Sequence, residues 1–309
     1  MRFESVRDLR CSILDPPSSP TPPKRPYSHT KRKSAIMAEL LRNDARLHKT
    51  PSPMPRLALL LLLLACLAFA AWRGSHTSED AAPTGDAAPL ALVELFTSEG
   101  CSSCPPADRL LAHLAAEARD SGDLVFTLSF HVDYWNYLGW ADPYSDPAFS
   151  ARQRAYSQAL HEGVYTPQMI VNGRHAFVGS DAARARRVLA KALRQPASVT
   201  LAVGVSPVTT EGVLLVSYAA ENLPADAVVH LAVVERGLSQ NVTRGENTGR
   251  TLDHENVVRA FETLEARYGK VPLTLPEGLH PENTSLIAYA QDVKTMAVLG
   301  AVSVDLENE

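Results

Sequence analysis

Two cysteines separated by two serines, at the junction between a predicted strand and a predicted helix, constrain this chain more than any other feature. Cys101 and Cys104 follow the apolar run at 91–96 and precede a helix candidate that opens at Pro105 and Pro106. At a helix N-terminus, unpaired backbone N–H groups and the helix dipole stabilise a thiolate. A thiolate attacks disulfides, and a second cysteine three residues on can resolve the mixed disulfide. The motif therefore predicts a redox site.

The cysteine pair has two structural alternatives. Half of a zinc site needs two further Cys or His ligands, usually in a second closely spaced pair, and the sequence has no such pair. A fixed disulfide across three residues closes a very small loop and stabilises little. Of the four cysteines, only Cys101 and Cys104 lie beyond the apolar segment at 57–72. A single pair does not indicate a disulfide-stabilised scaffold.

Charge is divided unevenly along the chain. Residues 1–56 carry 12 Lys and Arg against 5 Asp and Glu, whereas residues 57–309 carry 18 against 29. Residues 1–53 are basic and rich in proline, and we predict that they are disordered. Met54 is followed by a leucine run that is typical of a protein start. We therefore hypothesise that translation begins there and that 1–53 is a start-site artefact.

The segment Leu57–Trp72 is uncharged and mostly apolar over 16 residues, between Arg56 and Arg73. A basic flank before an apolar run directs the downstream chain across a membrane. Its length lies between that of a signal peptide core and that of a comfortable membrane span. We predict that 54–72 is a signal peptide or, if uncleaved, a membrane anchor. The protein is then exported, and is either periplasmic or anchored to the membrane outside the cytoplasm.

The order of predicted elements indicates the fold. After a flexible linker at 73–89, hydrophobic periodicity predicts strand, helix, strand, helix, two strands and a helix across 90–197. This order is the minimal thioredoxin architecture. Short β-branched runs over 198–309 predict a second domain, although 256–268 fits a helix or an edge strand equally well. The predicted fold class is an α/β thioredoxin-like domain followed by a mostly β, sandwich-like C-terminal domain.

Three more residues are candidates for the site. Pro167 precedes the third strand, where a thioredoxin fold commonly has a cis-proline against the cysteines. His131 follows the second parallel strand, so it can adjust the pKa of Cys101, shuttle a proton, or complete a copper site with both cysteines. Glu94, if buried beneath the cysteines, can accept a proton. A turn proline, a locally bonded histidine and an outward-facing glutamate are the structural alternatives.

Several long segments resemble the DUF1223 family, exported thioredoxin-like proteins of uncharacterised function. The segments that carry the resemblance are 94–108, 131–140 and 164–169, together with 245–250 and 256–259. The resemblance covers about residues 90–305 and implies a thioredoxin-like fold. Residues 1–53 fall outside it, which agrees with the proposed start at Met54.

The resemblance also assigns roles within the cysteine motif. The thioredoxin pattern makes Cys101 the nucleophile, Cys104 the resolving thiol and Pro167 the cis-proline. The Ser-Ser dipeptide differs from those of well-studied oxidants and reductants, so the direction of electron flow stays open.

We therefore predict an exported thiol–disulfide oxidoreductase without a cofactor, which acts on a protein or small-thiol disulfide. The acidic body gives no indication of nucleic-acid binding. One alternative is a copper-binding or copper-delivery protein that uses Cys101, Cys104 and His131. Another is a non-catalytic interaction module in which the disulfide is fixed.

Overall fold

The computed structural model describes residues 87–206, Thr209 and 212–306. The predicted signal peptide or anchor at 54–72 and the predicted disordered segment before it lie outside the described residues. Within the described part of the chain, no helix is long and apolar enough to cross a membrane. The described residues all belong to one compact unit, residues 81–309.

Helices and strands alternate in the first half of the described chain, and the second half consists of strands. The helices are α1 (Pro105–Ser121), α2 (Pro147–Leu160) and α3 (Ala182–Ala192). The strands of the first half are β1 (Ala87–Pro89), β2 (Ala91–Thr97), β3 (Val125–His131), β4 (Gln168–Val171), β5 (His175–Val178) and β6 (Pro196–Ala197). The strands of the second half are β7 (Thr200–Val205), β8 (Val213–Glu221), β9 (Ala227–Glu235), β10 (Leu238–Asn241), β11 (Thr251–His254), β12 (Val257–Leu264), β13 (Tyr268–Thr274), β14 (Thr284–Asp292) and β15 (Val298–Asp305).

One eight-stranded sheet organises the molecule, with the strand order β15-β14-β9-β12-β3-β2-β4-β5. Strand β3 is parallel to both β2 and β12, and the other neighbours in this sheet are antiparallel. Strands from both predicted domains therefore share one sheet, and the predicted boundary at 197/198 falls between strands that it joins. The protein is a mixed α/β protein with a large sheet.

Both faces of this sheet are covered. Because neighbouring residues of a strand point to opposite faces, Leu92 and Phe96 pack in one hydrophobic cluster with side chains of α2. Val93 and Leu95 face the other side, where α1 and α3 cover them. A three-stranded sheet of β13, β8 and β7 packs against β9 and β14, where it buries residues such as Leu231. In the second half, a three-stranded sheet therefore packs on strands of the large sheet.

Strand β12 corrects the ambiguous prediction for residues 256–268. It is neither a helix nor an edge strand, because it lies inside the large sheet between β9 and β3. Val257 and Val258 are both buried, on opposite faces, so the segment lacks the alternation that marks a half-exposed strand. The chain reaches this position by way of β10 and β11, which sequence patterns did not predict.

Strands β10 and β11 pair with each other in a two-stranded sheet of their own, apart from the large sheet. We call residues 238–254 the arm, and the loop 242–250 that joins its strands the tip. Gly245 and Gly249 have φ angles of 78° and 79°, in the left-handed region that favours glycine. Strand β11 lies against α1, so the arm extends from the large sheet to the helix that begins after the cysteines.

Candidate functional site

The cysteine pair lies in the turn between β2 and α1 and forms a disulfide. Cys101 is 1% exposed and Cys104 is fully buried. Ser102 and Ser103 between them are exposed. The motif therefore presents its two serines to solvent while both sulfur atoms are covered.

The helix N-terminus next to the disulfide is poorer in donors than the sequence pattern suggests. Cys104 is the N-cap of α1, and the first two helical positions are Pro105 and Pro106. Proline has no backbone N–H, so two of the donors expected near the thiolate do not exist. The next two N–H groups, of Ala107 and Asp108, donate to the carbonyl of Cys104 at 2.8 and 3.2 Å. The dipole of α1 remains, but stabilisation of a thiolate requires other donors.

Side-chain hydroxyls supply those donors to Cys101. Thr166 donates its hydroxyl to the Sγ of Cys101 at 3.3 Å, and the hydroxyl of Ser103 lies 3.4 Å from the same sulfur. The indole N–H of Trp135 donates to the Thr166 Oγ1 at 2.8 Å, which fixes that hydroxyl in place. The peptide bond between Thr166 and Pro167 is cis, the conformation that the thioredoxin pattern assigns to Pro167.

His131 forms a buried ion pair near the cysteine turn. It ends β3, directly beside Thr97 of β2, and is fully buried. Its Nδ1 lies 2.8 Å from the Oδ2 of Asp142, which also accepts the backbone N–H of Glu99 at 2.8 Å. Burial opposes a charge on His131, but Asp142 outweighs it, so the pKa of His131 is raised. Burial likewise opposes the Asp142 charge, yet His131 keeps the pKa of that carboxyl lowered.

The arm contributes a second histidine to the same place. The Nε2 of His254 lies 3.0 Å from the Oε1 of Glu99, and the other oxygen of Glu99 accepts the indole N–H of Trp140 at 2.7 Å. The rings of His131 and His254 are 4.8 Å apart between centroids and nearly perpendicular. Each imidazole is therefore oriented by one buried carboxylate, through one of its two nitrogens.

Asp108 completes this group from the first turn of α1. It is 7% exposed, and burial raises the pKa of its carboxyl, although His254 and His131 nearby counteract that effect. We call these five residues the buried cluster. Its members are Glu99, Asp108, His131, Asp142 and His254.

The buried cluster has unused hydrogen-bonding capacity. Among the described residues, four buried side-chain polar atoms have no hydrogen-bond partner. They are the Oγ1 of Thr97, the Oδ1 of Asp108, the Nε2 of His131 and the Nδ1 of His254. Three belong to the cluster, and Thr97 precedes it on β2. Since buried polar groups are nearly always paired, this concentration distinguishes the cluster from the rest of the described core.

The predicted copper ligands are not assembled in this disulfide-bonded form. The sulfurs of Cys101 and Cys104 are bonded to each other, so neither is a free thiolate ligand. Across the described ranges of the chain, no three His, Cys, Asp or Glu side chains are grouped so that they could hold a metal ion. A site made of Cys101, Cys104 and His131 remains a prediction about the reduced protein.

Glu94 is buried, but its partners lie elsewhere. Its Oε1 accepts from the Nε of Arg152 at 2.7 Å, and its other oxygen accepts from the hydroxyl of Tyr156. The guanidinium of Arg152 lies 5.1 to 5.6 Å from the centroids of four aromatic rings. Glu94 therefore belongs to a core ion pair beneath α2, and none of its hydrogen bonds reaches the cysteine turn. A role in proton transfer stays a prediction.

The tip of the arm covers the cysteine turn. The side-chain amide of Asn247 donates to the carbonyl oxygens of Glu99 at 2.8 Å and Cys101 at 3.0 Å. The backbone N–H of Ser102 donates to the Oε2 of Glu246 at 3.1 Å. These contacts join segments about 145 residues apart in the chain.

Sequence reasoning missed most of this environment. Glu99 and Asp108 lie inside the motif segment, and their proximity to the cysteines was the signal that could have found them. Asn247 lies inside the segment 245–250, but its distance in sequence hid its contact with the cysteines. Asp142 and His254 carried no such signal, because their place depends on long-range strand pairing. Only the pairing of β12 with β3 brings the arm to this edge of the sheet.

Fold and site together define a mixed α/β protein with a buried disulfide at a strand–helix junction, beside paired histidines and carboxylates. The DUF1223 family, described as proteins of unknown function, matches residues 92–291. That match spans more than half of the chain, and the protein belongs to this family.

Two solved structures are similar to this chain. A crystal structure of a protein from Agrobacterium tumefaciens shares 30% sequence identity over 73% of this chain and 98% of that chain, with a TM-score of 0.53. HBP35 of Porphyromonas gingivalis shares 17% identity over 72% of this chain and 76% of that chain, with a TM-score of 0.55. The second similarity concerns the fold alone. No curated protein sequence matches this chain.

Proposed function

We propose that the protein is an exported thiol–disulfide oxidoreductase built on a thioredoxin-like fold. One observation carries the proposal: the Sγ of Cys101, bonded to Cys104, lies within hydrogen-bond distance of the hydroxyls of Thr166 and Ser103. Hydrogen bonds to the charged form of a group favour that form. When the disulfide is reduced, these hydroxyls stabilise the thiolate that exchange requires.

The exchange proceeds in two displacements. The Cys101 thiolate attacks one sulfur of a substrate disulfide, forms a mixed disulfide and expels the first substrate thiolate. Cys104 then loses its proton and attacks the Sγ of Cys101, which expels the second substrate thiolate and restores the Cys101–Cys104 disulfide. The cysteine pair gives up two electrons and the substrate disulfide gains them. In reverse, the same steps oxidise a substrate dithiol.

The proton of Cys104 needs an acceptor, and we assign this role to Asp108. It lies one helical turn after Cys104, to whose carbonyl its backbone N–H is bonded at 3.2 Å. Its Oδ1 has no hydrogen-bond partner, and burial raises the pKa of its carboxyl towards the range useful for proton transfer. His131 and His254 beside it can share the proton.

The substrate class is a protein or small-thiol disulfide, and this chemistry needs no cofactor. Support for export comes from the sequence, where the apolar segment Leu57–Trp72 follows a basic flank. Cell fractionation with N-terminal sequencing of the mature protein tests this part. Recovery from the cytoplasm with residues 57–72 intact would contradict it.

Single cysteine variants of the full-length protein test the exchange. After reduction, the protein is mixed with a disulfide-bonded peptide and the products are identified by mass spectrometry. We expect Cys104→Ser to accumulate a mixed disulfide on Cys101, and Cys101→Ser to exchange at least a hundredfold more slowly than the wild type. Equal exchange by Cys101→Ser would refute the mechanism. A disulfide that no thiol can reduce would instead favour the non-catalytic module.

A copper-binding function is a second candidate, favoured by one observation. The Nε2 of His131 is buried and unpartnered, while its Nδ1 is held by Asp142, as is typical of metal-bound histidines. Titration of the reduced full-length protein with Cu(I) tests this function. Stoichiometric binding that is lost in His131→Ala would favour copper handling, and absence of tight binding would reject it.

A further inference from the structure

The disulfide is closed to solvent, although a disulfide that exchanges with substrates must be reached by them. Cys101 is 1% exposed, and the tip of the arm lies over its turn. We propose that the arm is the substrate-access element of this site, and that Asn247 is the positioning residue that holds it closed. This inference rests on the proposed oxidoreductase function and specifies how a substrate enters.

Asn247 is placed to latch the arm. It is fully buried, and its amide nitrogen donates to two carbonyl oxygens on either side of the turn, those of Glu99 and Cys101. Its own Oδ1 accepts from the Nη1 of Arg250 at 3.0 Å. Because Arg250 only donates, this bond fixes the orientation of the amide. The side chain therefore uses both its donor and its acceptor groups.

The outer rim of the contact is weaker. Glu246 accepts the N–H of Ser102 on an exposed surface, where hydrogen bonds contribute little. Gly245 fits against Trp140, since a Cβ on this glycine would come within 3.1 Å of the Trp140 Cβ. The latch thus consists of the buried amide of Asn247, the exposed hydrogen bond from Ser102 to the Glu246 carboxylate, and the close contact of Gly245 with Trp140.

The tip can leave the cysteine turn as a unit. Its own backbone bonds join Val242 to Arg250 at 3.0 Å and Gly249 to Val242 at 2.8 Å. These bonds do not involve the turn, so they persist when the tip lifts. In the described structure, the hydrogen bonds from the tip to the turn are the two of Asn247 and the one of Glu246. Opening therefore breaks three hydrogen bonds and leaves the rest of the arm intact.

Opening also exposes the groups that a substrate needs. The carbonyls of Glu99 and Cys101 lose the Asn247 amide, and each regains acceptor capacity beside the disulfide, although the Cys101 carbonyl still accepts the N–H of Cys104 at 3.2 Å. A polypeptide has backbone N–H donors next to its own cysteine, and these can replace the amide of Asn247. The arm thereby favours substrates that are extended peptides containing a disulfide or dithiol, over thiols that lack a backbone donor.

Substitutions that remove the donor test the latch. Asn247→Asp and Asn247→Leu keep the shape of the side chain but cannot donate to either carbonyl, and Asp retains an acceptor for Arg250. Asn241→Asp, an exposed position on the same arm, is the matched control. For each full-length variant, the rate of reduction of the Cys101–Cys104 disulfide is measured with dithiothreitol and with the same dithiol attached to polyethylene glycol.

We expect both Asn247 variants to be reduced about tenfold faster than wild type, the effect of losing hydrogen bonds of ordinary strength. The rate of reduction by the polyethylene glycol-linked dithiol should rise more than the rate with dithiothreitol, because access of the larger reagent depends on the arm. Asn241→Asp should match the wild type. Melting temperatures check that the variants are folded, and protection of the Ser102 amide from hydrogen exchange should fall in the Asn247 variants even if reduction rates cannot be compared.

The outcomes separate this inference from the proposed function. Unchanged reduction rates and unchanged Ser102 protection in folded Asn247 variants would overturn the role of the arm, and would leave the oxidoreductase mechanism standing. Faster reduction of the variants, together with no exchange between wild type or variants and any peptide disulfide, would support the latch and refute the oxidoreductase. An equal gain for both reagent sizes would also contradict gating by the arm.

Discussion

Asp108 is the carboxyl of the buried cluster that burial shifts towards its neutral form. One carboxylate oxygen has no partner, and burial raises its pKa above the ordinary value of 3.8. A carboxyl with a raised pKa is more stable neutral in the folded protein, so it destabilises the fold as pH rises from 3.8 through its folded pKa. The folded protein tolerates this disadvantage, which is consistent with a chemical role.

We therefore predict that Asp108→Asn stabilises the protein at neutral pH. The gain comes from removing the buried charge, should be about 1.4 kcal/mol for each unit by which the folded pKa exceeds 3.8, and should vanish at pH below that unfolded value. Urea denaturation over a series of pH values measures it. Asp120→Asn, at an exposed position of the same helix, should change stability little at any pH. A destabilised Asp108→Asn at neutral pH would contradict this account.

The same substitution should slow the proposed exchange, because it removes the acceptor for the Cys104 proton. We expect the second displacement to slow about a hundredfold, which is the lower range for general acid–base contributions. Mass spectrometry would then show the mixed disulfide on Cys101 persisting in an otherwise intact protein. Unaltered resolution of the mixed disulfide would mean that Asp108 does not take this proton.

Thr166 is expected to affect the pKa of the Cys101 thiol. Its hydroxyl donates to the Sγ of Cys101, so Thr166→Val should raise the pKa of the reduced Cys101 thiol, by about one unit for one lost hydrogen bond. The pH dependence of alkylation by iodoacetamide measures this pKa. Thr200→Val, in β7 of the three-stranded sheet, is the control. A pKa that does not move would remove the main support for thiolate stabilisation by hydroxyls.

These residues show what sequence alone can and cannot predict about a site. The strand–cysteine–helix context located Cys101 and Cys104, because the junction is local. Local order also placed His131 at the correct sheet edge, since the positions of strand ends depend on topology. The burial of Asp108 and the pairing of His254 with Glu99 depend on the arm, which begins more than 120 residues after the motif. The two prolines of α1 stand at the predicted helix start, so the loss of two N–H donors could have been inferred from the sequence.

Among the elements, α2 is held to the sheet by a buried ion pair. Arg152 of α2 bonds Glu94 of β2 and the side chain of Gln291 of β14 at 3.0 Å, inside a shell of aromatic rings. Breaking one half of a buried pair leaves an uncompensated charge, whereas replacing both halves is often tolerated. The pair therefore constrains how α2 docks more than it adds net stability.

We predict that Arg152→Met destabilises the protein by about 3–5 kcal/mol, because Glu94 is then buried alone. The double variant Arg152→Met with Glu94→Gln should recover much of that loss, because the uncompensated charge is gone. Thermal and urea denaturation measure both. Arg154→Met, two residues along the same helix and without a described ion pair, is the control. If the double variant is less stable than the single one, the pair is not the source of the loss.

Elements differed in how well sequence predicted them. Helices α1 to α3 and strands β2 to β5 follow the predicted order of elements, because turn residues and caps such as Asp181 mark their ends. Strand β12 was ambiguous, since its two buried residues, Val257 and Val258, are adjacent and the rest of the strand shows no period-two alternation. Within the arm, the sequence indicated only a turn at 245–250, because the short strands β10 and β11 pair with each other and bury few apolar side chains.

For the whole molecule, the large sheet raises the question of whether the two predicted domains fold as one cooperative unit or as two. Strand β3 of the first half pairs with β12 of the second, and the Asn256 side chain donates to the Oγ1 of Thr127 at 2.6 Å. Phe130 packs edge-to-face on Phe261 with centroids 5.5 Å apart. One hydrophobic cluster contains residues from both halves. Shared strands, side chains and core couple the stability of the two predicted domains.

We predict that the folded unit is the whole sheet, and that a fragment of residues 87–197 does not reach its native structure. Without β12 and β9, the fragment leaves β3 as an apolar edge and exposes Phe130 and its neighbours to water. Burying these groups stabilises the full chain by about 25 cal/mol for each Å² of apolar area, and the fragment loses that contribution. In the full chain, tryptophan fluorescence and far-ultraviolet circular dichroism should report one coincident unfolding transition. Two separate transitions, or a fragment with a native near-ultraviolet spectrum, would instead favour independent domains that meet at 197/198.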